Sequence, residues 1–376
     1  MAAAGDHTPR MQLSPSVWFA RLVARPNFQK WASRLPIGRG VARRDGAEIF
    51  DILQGFVKSQ VLLALVELNI LSRLLEGPYA AQQLSLAAGI PHDRMDRLLK
   101  AGVALQLLKR RRDGRYALAR RGAAILGVPG LAQMISHNRA LYADMADPVA
   151  FLQGQGETNL AQFWPYVFGD PDGINSDAAV RYSGLMAESQ ALVAQDTLRM
   201  VSLKGVHSLL DIGGGTGAFL TEVLRKSPKI NAVLFDLPEV IPAARKHFEQ
   251  TGLGDRVVLH PGSFRDQPLP SGADAVSLIR VLYDHSDETV SALLSKVFAA
   301  LPAGGRLIIS EPMSGGSRPE PAGDIYFSFY TMAMGTGCVR SASQIAQMCE
   351  AAGFVGIKVP RAPRPYISSA VVCAKS

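Results

Sequence analysis

The sequence predicts an α/β protein whose second half is an open sheet of seven strands, preceded by a helical module. Two observations carry this prediction. The stretch S-L-L-D-I-G-G-G-T-G (208–217) joins an apolar run to a glycine turn, and apolar residues at helical spacing follow it. Strand and helix signals then alternate as far as residue 311. At 376 residues, the chain is long enough for two or three domains.

Composition indicates a globular protein with ample core, since 48% of the residues are hydrophobic and 19% are charged. The three cysteines are too few for a disulfide framework and lack metal-site spacing, so no metal is expected and a reducing compartment is favoured. No apolar run approaches the ~20 residues of a membrane span, and the N-terminus lacks a signal-peptide pattern. We therefore expect a cytoplasmic location.

Residues 1–44 are predicted to form a basic N-terminal extension. They hold eight bases and one acid, whereas the whole chain has a net charge of +8. Large apolar side chains lie among these bases: Trp18, Phe19, Leu22, Val23, Phe28 and Trp31. This combination suits peripheral contact with an anionic membrane, here the intracytoplasmic one. A disordered leader that packs loosely on the body is the alternative.

Residues 45–130 are predicted to form a winged-helix-like module. Helical spacing runs from Ala47 to Leu75, two shorter helices follow, and Asp113-Gly114 marks a hairpin turn. The basic run K-R-R-R (109–112) invites a DNA-binding interpretation. The second helix mixes Arg94, Arg97 and Lys100 with two aspartates, however, so its charge is not clearly cationic. A dimerisation module is the favoured reading, and no nucleic acid partner is expected.

Residues 131–200 have no strand pattern and are predicted to be a helical linker that covers the active site. Aromatic residues cluster here, and a long helix is expected from about residue 178 to 200. This helix places Met186 among the candidate residues of the substrate pocket.

Residues 201–376 are predicted to be the catalytic domain. The expected strands are 207–212, 231–235, 256–260, 274–281, 305–311, 354–359 and 367–374, with helices between the first five. Another helix at about 343–352 precedes the last two strands, which a proline-rich turn joins as an antiparallel pair. Ser341 and Gln344 can form a capping box for this helix.

The glycine turn predicts a nucleotide-type cofactor. Gly213 and Gly215 let a ligand approach the backbone closely, and they also satisfy the dinucleotide pattern. Asp211 precedes the glycines, where a pyrophosphate gains nothing from an acid but a cationic amine and sulfonium do. Asp236 ends the next strand and can accept from both ribose hydroxyls. These acids favour S-adenosyl-L-methionine over a nicotinamide cofactor, which remains the alternative.

In order along the chain, the motifs resemble those of the small-molecule O-methyltransferase family of plants and bacteria. L-L-D-I-G-G-G-T-G (209–217) resembles its first motif and F-D-L-P-E-V (235–240) its second, while R-V-L-Y-D-H-S-D-E (280–288) stands at its catalytic motif. The resemblance implies a class I methyltransferase, Rossmann-like catalytic fold and a homodimer. It implies S-adenosyl-L-methionine as donor and S-adenosyl-L-homocysteine as product. It also places Leu237, Ser263 and Phe264 near the cofactor. Arg280, at the end of a predicted strand, could touch the cofactor or a carboxylate.

Within the family, the segments 326–337 and 364–372 look most like the bacterial branch that methylates the tertiary 1-hydroxyl of acyclic carotenoids. The acceptor pocket is accordingly expected to be apolar. Its remaining candidate residues are Tyr326, Phe329, Tyr330 and Met334. Methyltransferases acting on a bacteriochlorophyll-type tetrapyrrole or a polyketide are alternatives. A winged-helix regulator that binds a nucleotide-type ligand is a more distant one.

Two departures from the family pattern concern the catalytic groups. The catalytic histidine of the family falls on Tyr283, and a glutamate that orients it falls on Val339, whereas its other acid matches Glu311. The adenine-contacting aspartate of plant members falls on Ser263. We predict that Tyr283 contacts the acceptor hydroxyl, where it can position the oxygen or relay a proton towards solvent or Glu311. His285, which would share a face with Tyr283 in a strand, is the second candidate.

Overall fold

The computed structural model describes residues 15–32, 36–163 and 190–376, and the chain divides into two compact units between Ala119 and Arg120. The predicted domain boundaries at 44, 130 and 200 stay predictions. Helix α3 runs through the first of them. The helices of the first unit are α1 (Pro15–Val23), α2 (Pro26–Ala32), α3 (Pro36–Leu53), α4 (Gly55–Glu67), α5 (Ile70–Glu76), α6 (Ala81–Ala88) and α7 (His92–Ala104).

The predicted winged helix is present in the first unit. Strands β1 (Leu108–Arg110) and β2 (Tyr116–Leu118) form the antiparallel hairpin after α7. Leu108 and Tyr116 are buried, and the Tyr116 hydroxyl donates to Asp96 of α7 at 3.1 Å. The hairpin is therefore held against the helix by both apolar packing and a hydrogen bond.

Helices α3 and α4 present large apolar side chains to solvent within the first unit. These exposed residues are Ile49, Phe50, Ile52, Leu53, Phe56 and Val57. In the described part of the chain, no single helix has the length and apolarity to cross a membrane, although the bent pair Arg39–Leu53 and Gly55–Glu67 meets both criteria jointly.

The second unit begins with helices and continues as an alternating α/β domain. Its helices are α8 (Arg120–Gly127), α9 (Leu131–Asp144), α10 (Pro148–Leu152), α11 (190–200), α12 (Ala218–Lys226), α13 (Ile241–Thr251), α14 (Asp287–Ala300), α15 (Ser328–Ala333) and α16 (Ala342–Ala351). A π-helical turn, Pro321–Phe327, leads into α15. Its strands are β3 (Ser208–Ile212), β4 (Asn231–Asp236), β5 (Val257–Pro261), β6 (Ala275–Ile279), β7 (Arg306–Glu311), β8 (Phe354–Lys358) and β9 (Ser369–Lys375).

The seven strands form one sheet in the order β5-β4-β3-β6-β7-β9-β8. Strands β3 to β7 are parallel to one another, and β9 is antiparallel to both of its neighbours. The predicted class I methyltransferase sheet and its final antiparallel pair are thus confirmed. Strand β3 comes first in the sequence among the strands of this sheet and lies near its centre. The chain therefore turns in opposite directions on either side of β3, and this reversal creates a crevice at the carboxyl end of β3.

Each face of the sheet carries its own core, because alternate strand residues point to opposite faces. On β3, Leu210 and Ile212 pack with α14 and α16, whereas Leu209 packs with α11, α12 and α13. Both faces are buried. This arrangement explains why the strands are continuous apolar runs in the sequence.

Two details of the predicted sheet are wrong. The described chain between β5 and β6 has no helix, only turns at 264–266. Strand β6 ends at Ile279 and not at 281. The backbone of Arg280 has a φ of 58°, which lies outside the β region, so the strand cannot continue through this residue. The predicted capping box of α16 is confirmed, since Ser341 and Gln344 bond each other's backbone N–H groups.

Candidate active site

The predicted site residues follow the carboxyl ends of adjacent strands. The glycine turn follows β3, Asp236 ends β4, Arg280 follows β6 and Glu311 ends β7. Parallel strands bring these ends to one edge of the sheet. The fold therefore assembles residues that lie a hundred positions apart in the sequence.

The glycine turn is shaped for a ligand to lie close to the backbone. Gly213, Gly215 and Gly217 all have positive φ, which side chains with a Cβ rarely adopt. A Cβ on Gly217 would overlap the ring of Phe248, whereas a Cβ on Gly215 would meet no atom within 4 Å. Gly217 thus permits tight packing under the turn, and Gly215 borders open space where a cofactor fits.

Asp211 and Asp236 frame this turn. Asp211 is 1% exposed; its Oδ1 accepts from Ser277 at 2.6 Å, and its Oδ2 has no hydrogen-bond partner in the described chain. Burial raises the pKa of Asp211 to about 7. Asp236 accepts from the backbone N–H groups of Gly215 and Leu237, both at 2.7 Å. A buried unpaired carboxylate oxygen near the turn suits a cationic ligand group.

The loop after β5 carries the other predicted cofactor residues. The N–H of Gly262 donates to the Asp236 carbonyl at 2.9 Å, which joins this loop to the end of β4. Ser263 uses its hydroxyl to accept from the Arg265 backbone. The Phe264 ring packs edge-on against His285 with centroids 5.2 Å apart. Serine and phenylalanine thus offer a hydroxyl and a flat ring in a loop that is joined to the end of β4.

Tyr283 lies in a 3₁₀ turn (Leu282–Asp284) and is 1% exposed. Its phenolic oxygen accepts from the Arg280 guanidinium at 3.0 Å. Burial raises the pKa of Tyr283 well above its usual value, so the phenol keeps its proton. The hydroxyl therefore retains an O–H that can be donated elsewhere.

Glu311 contacts the turn that contains Tyr283, but not at the phenol. Its Oε2 accepts from the backbone N–H of Tyr283 at 3.2 Å, so it binds the turn and not the phenol. Its Oε1 has no hydrogen-bond partner among the described residues, and the same holds for Oδ1 of the neighbouring Asp284. Burial raises the pKa of Glu311 to about 8 and that of Asp284 to about 7.

His285 does not share a face with Tyr283, and this expectation was wrong. It assumed that the strand continued, but a 3₁₀ turn replaces the strand after Arg280. The His285 ring instead meets Phe264, and Nδ1 lies 3.2 Å from the guanidinium of Arg265. Burial lowers the pKa of His285 to about 4, and the nearby Arg265 adds to this effect.

Sequence reasoning missed Arg340, which holds the turn at residues 282–285 in place. This arginine is 2% exposed. Its guanidinium donates to the carbonyls of Leu282, Cys338 and His285 and to the carboxylate of Asp287. A buried arginine has to be paired. The adjacent residue, Val339, does not indicate which groups bind Arg340.

The candidate pocket residues of 326–334 pack against α9. Tyr326 donates to Asn138 at 2.8 Å, and the Tyr330 hydroxyl lies 2.9 Å from His137 Nε2. Phe329 stacks on Phe151 with centroids 6.3 Å apart. Met334 and Tyr330 are buried in the same apolar cluster. Met186 lies outside the described residues, and so does the first part of its predicted helix.

The sheet order, the glycine turn and the two acids define a nucleotide-cofactor methyltransferase of class I. Comparison with known proteins agrees with this class. Residues 142–355 match the family model of the O-methyltransferase domain, and residues 50–127 match that of the O-methyltransferase dimerisation domain.

Two relatives are similar over nearly their whole length. Demethylspheroidene O-methyltransferase of Cereibacter sphaeroides is 54% identical over 94% of this chain and 94% of its own. The enzyme of that name from Rhodobacter capsulatus is 49% identical over 94% of this chain and 88% of its own. The solved structure of human N-acetylserotonin methyltransferase in complex with S-adenosylmethionine matches with a TM-score of 0.72 at 25% identity, over 88% of this chain and 98% of that one.

The chain belongs to the O-methyltransferase family. It is an S-adenosyl-L-methionine-dependent enzyme. Most of the residues that match the dimerisation domain of the family, 50–127, belong to its first unit. The nicotinamide alternative is thereby excluded.

Proposed function

We propose that the protein methylates the tertiary 1-hydroxyl of an acyclic carotenoid, as a homodimer. The observation that carries this proposal is the 54% identity over 94% of the chain to a demethylspheroidene O-methyltransferase. In the reaction, the acceptor oxygen forms a bond to the methyl carbon as the bond from sulfur to that carbon breaks. The hydroxyl proton is released, and S-adenosyl-L-homocysteine is the other product.

The residues around the glycine turn fit the methyl donor. S-adenosyl-L-methionine supplies an electrophilic methyl group on a positively charged sulfur. Asp211 would face its cationic part with the unpaired Oδ2, while Gly213 and Gly215 would admit it close to the backbone. Asp236 would accept from the ribose, next to the N–H of Leu237. Ser263 and Phe264 would flank the adenine, and Arg280 would lie at the edge of the cofactor site.

Tyr283 is proposed to hold the acceptor hydroxyl. An aliphatic alcohol is about as weak an acid as water, whose pKa is about 15.7, so it attacks without prior ionisation. Rate acceleration must then come chiefly from alignment with the methyl group. Because Arg280 already donates to the Tyr283 oxygen, the phenol is polarised and its own proton is directed to another acceptor. That acceptor is the substrate oxygen.

Glu311 is proposed to receive the proton that the acceptor loses. Its unpaired Oε1 and its raised pKa of about 8 suit a base that works near neutral pH. His285 is less suitable. Its Nδ1 faces the Arg265 guanidinium, which carries only donors, so a neutral ring keeps its proton on Nε2 and has no acceptor left.

The acceptor pocket is proposed to be formed by Tyr326, Phe329, Tyr330 and Met334, together with Met186. The two tyrosine hydroxyls already have partners on α9. The rings can therefore present apolar surface to a polyene without leaving a buried hydroxyl unpaired. Methionine adapts to irregular apolar shapes, which suits a long and flexible chain.

Peripheral membrane contact through residues 1–44 is the remaining part of the proposal, because a carotenoid acceptor is dissolved in lipid. In the described part of this segment, Trp18, Phe19 and Trp31 are more than half exposed. Deletion of residues 1–44 should reduce co-sedimentation with anionic vesicles. Unchanged sedimentation would remove this element and leave the catalytic proposal intact.

The acceptor class is tested with a substrate panel at equal concentrations. We expect the purified protein to methylate a 1-hydroxylated acyclic carotenoid in detergent much faster than a naphthol, a polyketide phenol or a bacteriochlorophyllide. Faster turnover of the tetrapyrrole or of a phenol would overturn the carotenoid assignment.

A further inference from the structure

The wing of the first unit presents three exposed basic side chains on an anchored hairpin. The wing is defined here as residues 109–115. Asp113 closes its turn by accepting from the backbone and side chain of Arg115, with Arg111 at 3.8 Å. Lys109, Arg110 and Arg112 are exposed, and no ion pair is recorded for them within the described chain. Asp113 is thus already paired within the wing, and the charges of Lys109, Arg110 and Arg112 face solvent.

The positive charge of the protein is concentrated in the wing and the N-terminal extension. The wing holds five bases and one acid, and residues 1–44 hold eight bases and one acid. Of the 40 bases and 32 acids of the chain, 27 bases and 30 acids remain elsewhere, which leaves a net charge of −3. The wing is therefore a cationic surface on a chain that, apart from residues 1–44, is otherwise slightly acidic.

The hairpin is anchored firmly enough to hold these charges in place. Leu108 and Tyr116 are buried at its base, and Tyr116 pairs with Tyr79 as well as with Asp96. A rigid hairpin loses little conformational freedom when its tip meets a charged surface. Its charges therefore act together.

We propose that the wing binds the anionic headgroups of a membrane. Nucleic acid is disfavoured because α7, the second helix of the module, is not clearly cationic. Asp93 and Asp96 accompany its Arg94, Arg97 and Lys100, and Lys100 is paired with Asp96 at 2.7 Å. The choice of lipid over an acidic protein rests on the proposed carotenoid acceptor. In this account, the wing orients the enzyme at the surface from which it draws its substrate.

The test compares two charge-matched double variants of the full-length chain. R110Q/R112Q alters the wing, whereas R94Q/R97Q removes the same charge from exposed positions on α7. Binding is measured by co-sedimentation with vesicles of equal parts phosphatidylglycerol and phosphatidylcholine, and with phosphatidylcholine alone. Each basic residue near an anionic surface contributes roughly fivefold, so the wing variant should bind anionic vesicles about 25-fold more weakly. The control should bind like the unaltered protein.

Several results would overturn the inference. They are equal binding by the wing variant and the unaltered protein, equal weakening by both variants, and binding to duplex DNA that R94Q/R97Q abolishes. Unchanged unfolding temperatures establish that both variants are folded. Methyl transfer is measured separately on acceptor dissolved in detergent. Loss of vesicle binding by R110Q/R112Q with normal methyl transfer supports the proposal that the wing binds the membrane. Failed methyl transfer by the unaltered protein counts against the proposed function alone.

Discussion

The Arg280 guanidinium donates to the phenolic oxygen of Tyr283 at 3.0 Å, at the carboxyl edge of the sheet. This contact determines what the tyrosine can do. A phenol that accepts from a cation and is cut off from water keeps its proton. In the proposed mechanism, Tyr283 is therefore a hydrogen-bond donor to the acceptor oxygen and not the base.

Replacement of Tyr283 by phenylalanine should lower kcat while leaving cofactor binding intact. The lost hydrogen bond joins the neutral phenol to the neutral acceptor hydroxyl and is worth about 0.5–1.5 kcal/mol, which corresponds to roughly a 2- to 13-fold decrease. Turnover and S-adenosyl-L-homocysteine affinity would be measured side by side. Normal kcat in Y283F would remove Tyr283 from the proposed mechanism.

The rate of methyl transfer should rise with pH as Glu311 loses its proton. The pKa of Glu311 is raised to about 8 by burial, so the base is mostly protonated at neutral pH and becomes available above it. In E311Q, kcat should fall and this rise should disappear. E288Q, altered at an exposed position of α14, is the control and should keep the profile. A persistent rise in E311Q would assign the proton to another group.

Buried Asp211 should make the cofactor-free protein less stable as the pH rises. Its pKa is raised to about 7 in the folded state, so the folded chain binds more protons than the unfolded chain above pH ~4. The resulting stability is complete at acidic pH and is lost as pH rises through about 7. The difference is on the order of 4 kcal/mol, at 1.36 kcal/mol for each unit of pKa shift.

Urea unfolding of D211N at pH 5 and pH 8 measures this effect. The variant should lose less stability between these two values than the unaltered protein does. D324N is the control, because hydrogen bonds lower the pKa of that half-buried carboxyl and place its titration below this range. Equal losses in D211N and the unaltered protein would show that Asp211 does not titrate as described.

Loss of Arg340 should destabilise the catalytic turn. In R340M, the carbonyls of Leu282, Cys338 and His285 lose the guanidinium donor, although that of Leu282 still accepts from the His285 N–H at 3.1 Å. This loss costs about 2–4 kcal/mol in the free energy of unfolding. D287N removes only an exposed partner of the same guanidinium and should cost less than about 1 kcal/mol. Similar small effects for both variants, in denaturant unfolding, would contradict this role.

The fold was predictable because its signals are local. The glycine turn, the apolar strands and the winged helix each have a sequence pattern that can be recognised over a short stretch of residues. The course of the chain after β6 was not predictable. It depends on the positive φ of Arg280 and on the three carbonyls that bind Arg340, which lies sixty positions further along the sequence. For the same reason, motif register identified Glu311 but not its bond to the Tyr283 backbone.

The position of the new methyl group tests the central claim most directly. The purified protein would be incubated with a 1-hydroxylated acyclic carotenoid and donor carrying a ¹³C-labelled methyl group, and the product examined by NMR. We predict a single labelled methoxy carbon attached to the tertiary carbon, with release of S-adenosyl-L-homocysteine. Label on a carbon of the polyene, or no transfer to this acceptor while another alcohol or phenol is methylated, would contradict the account.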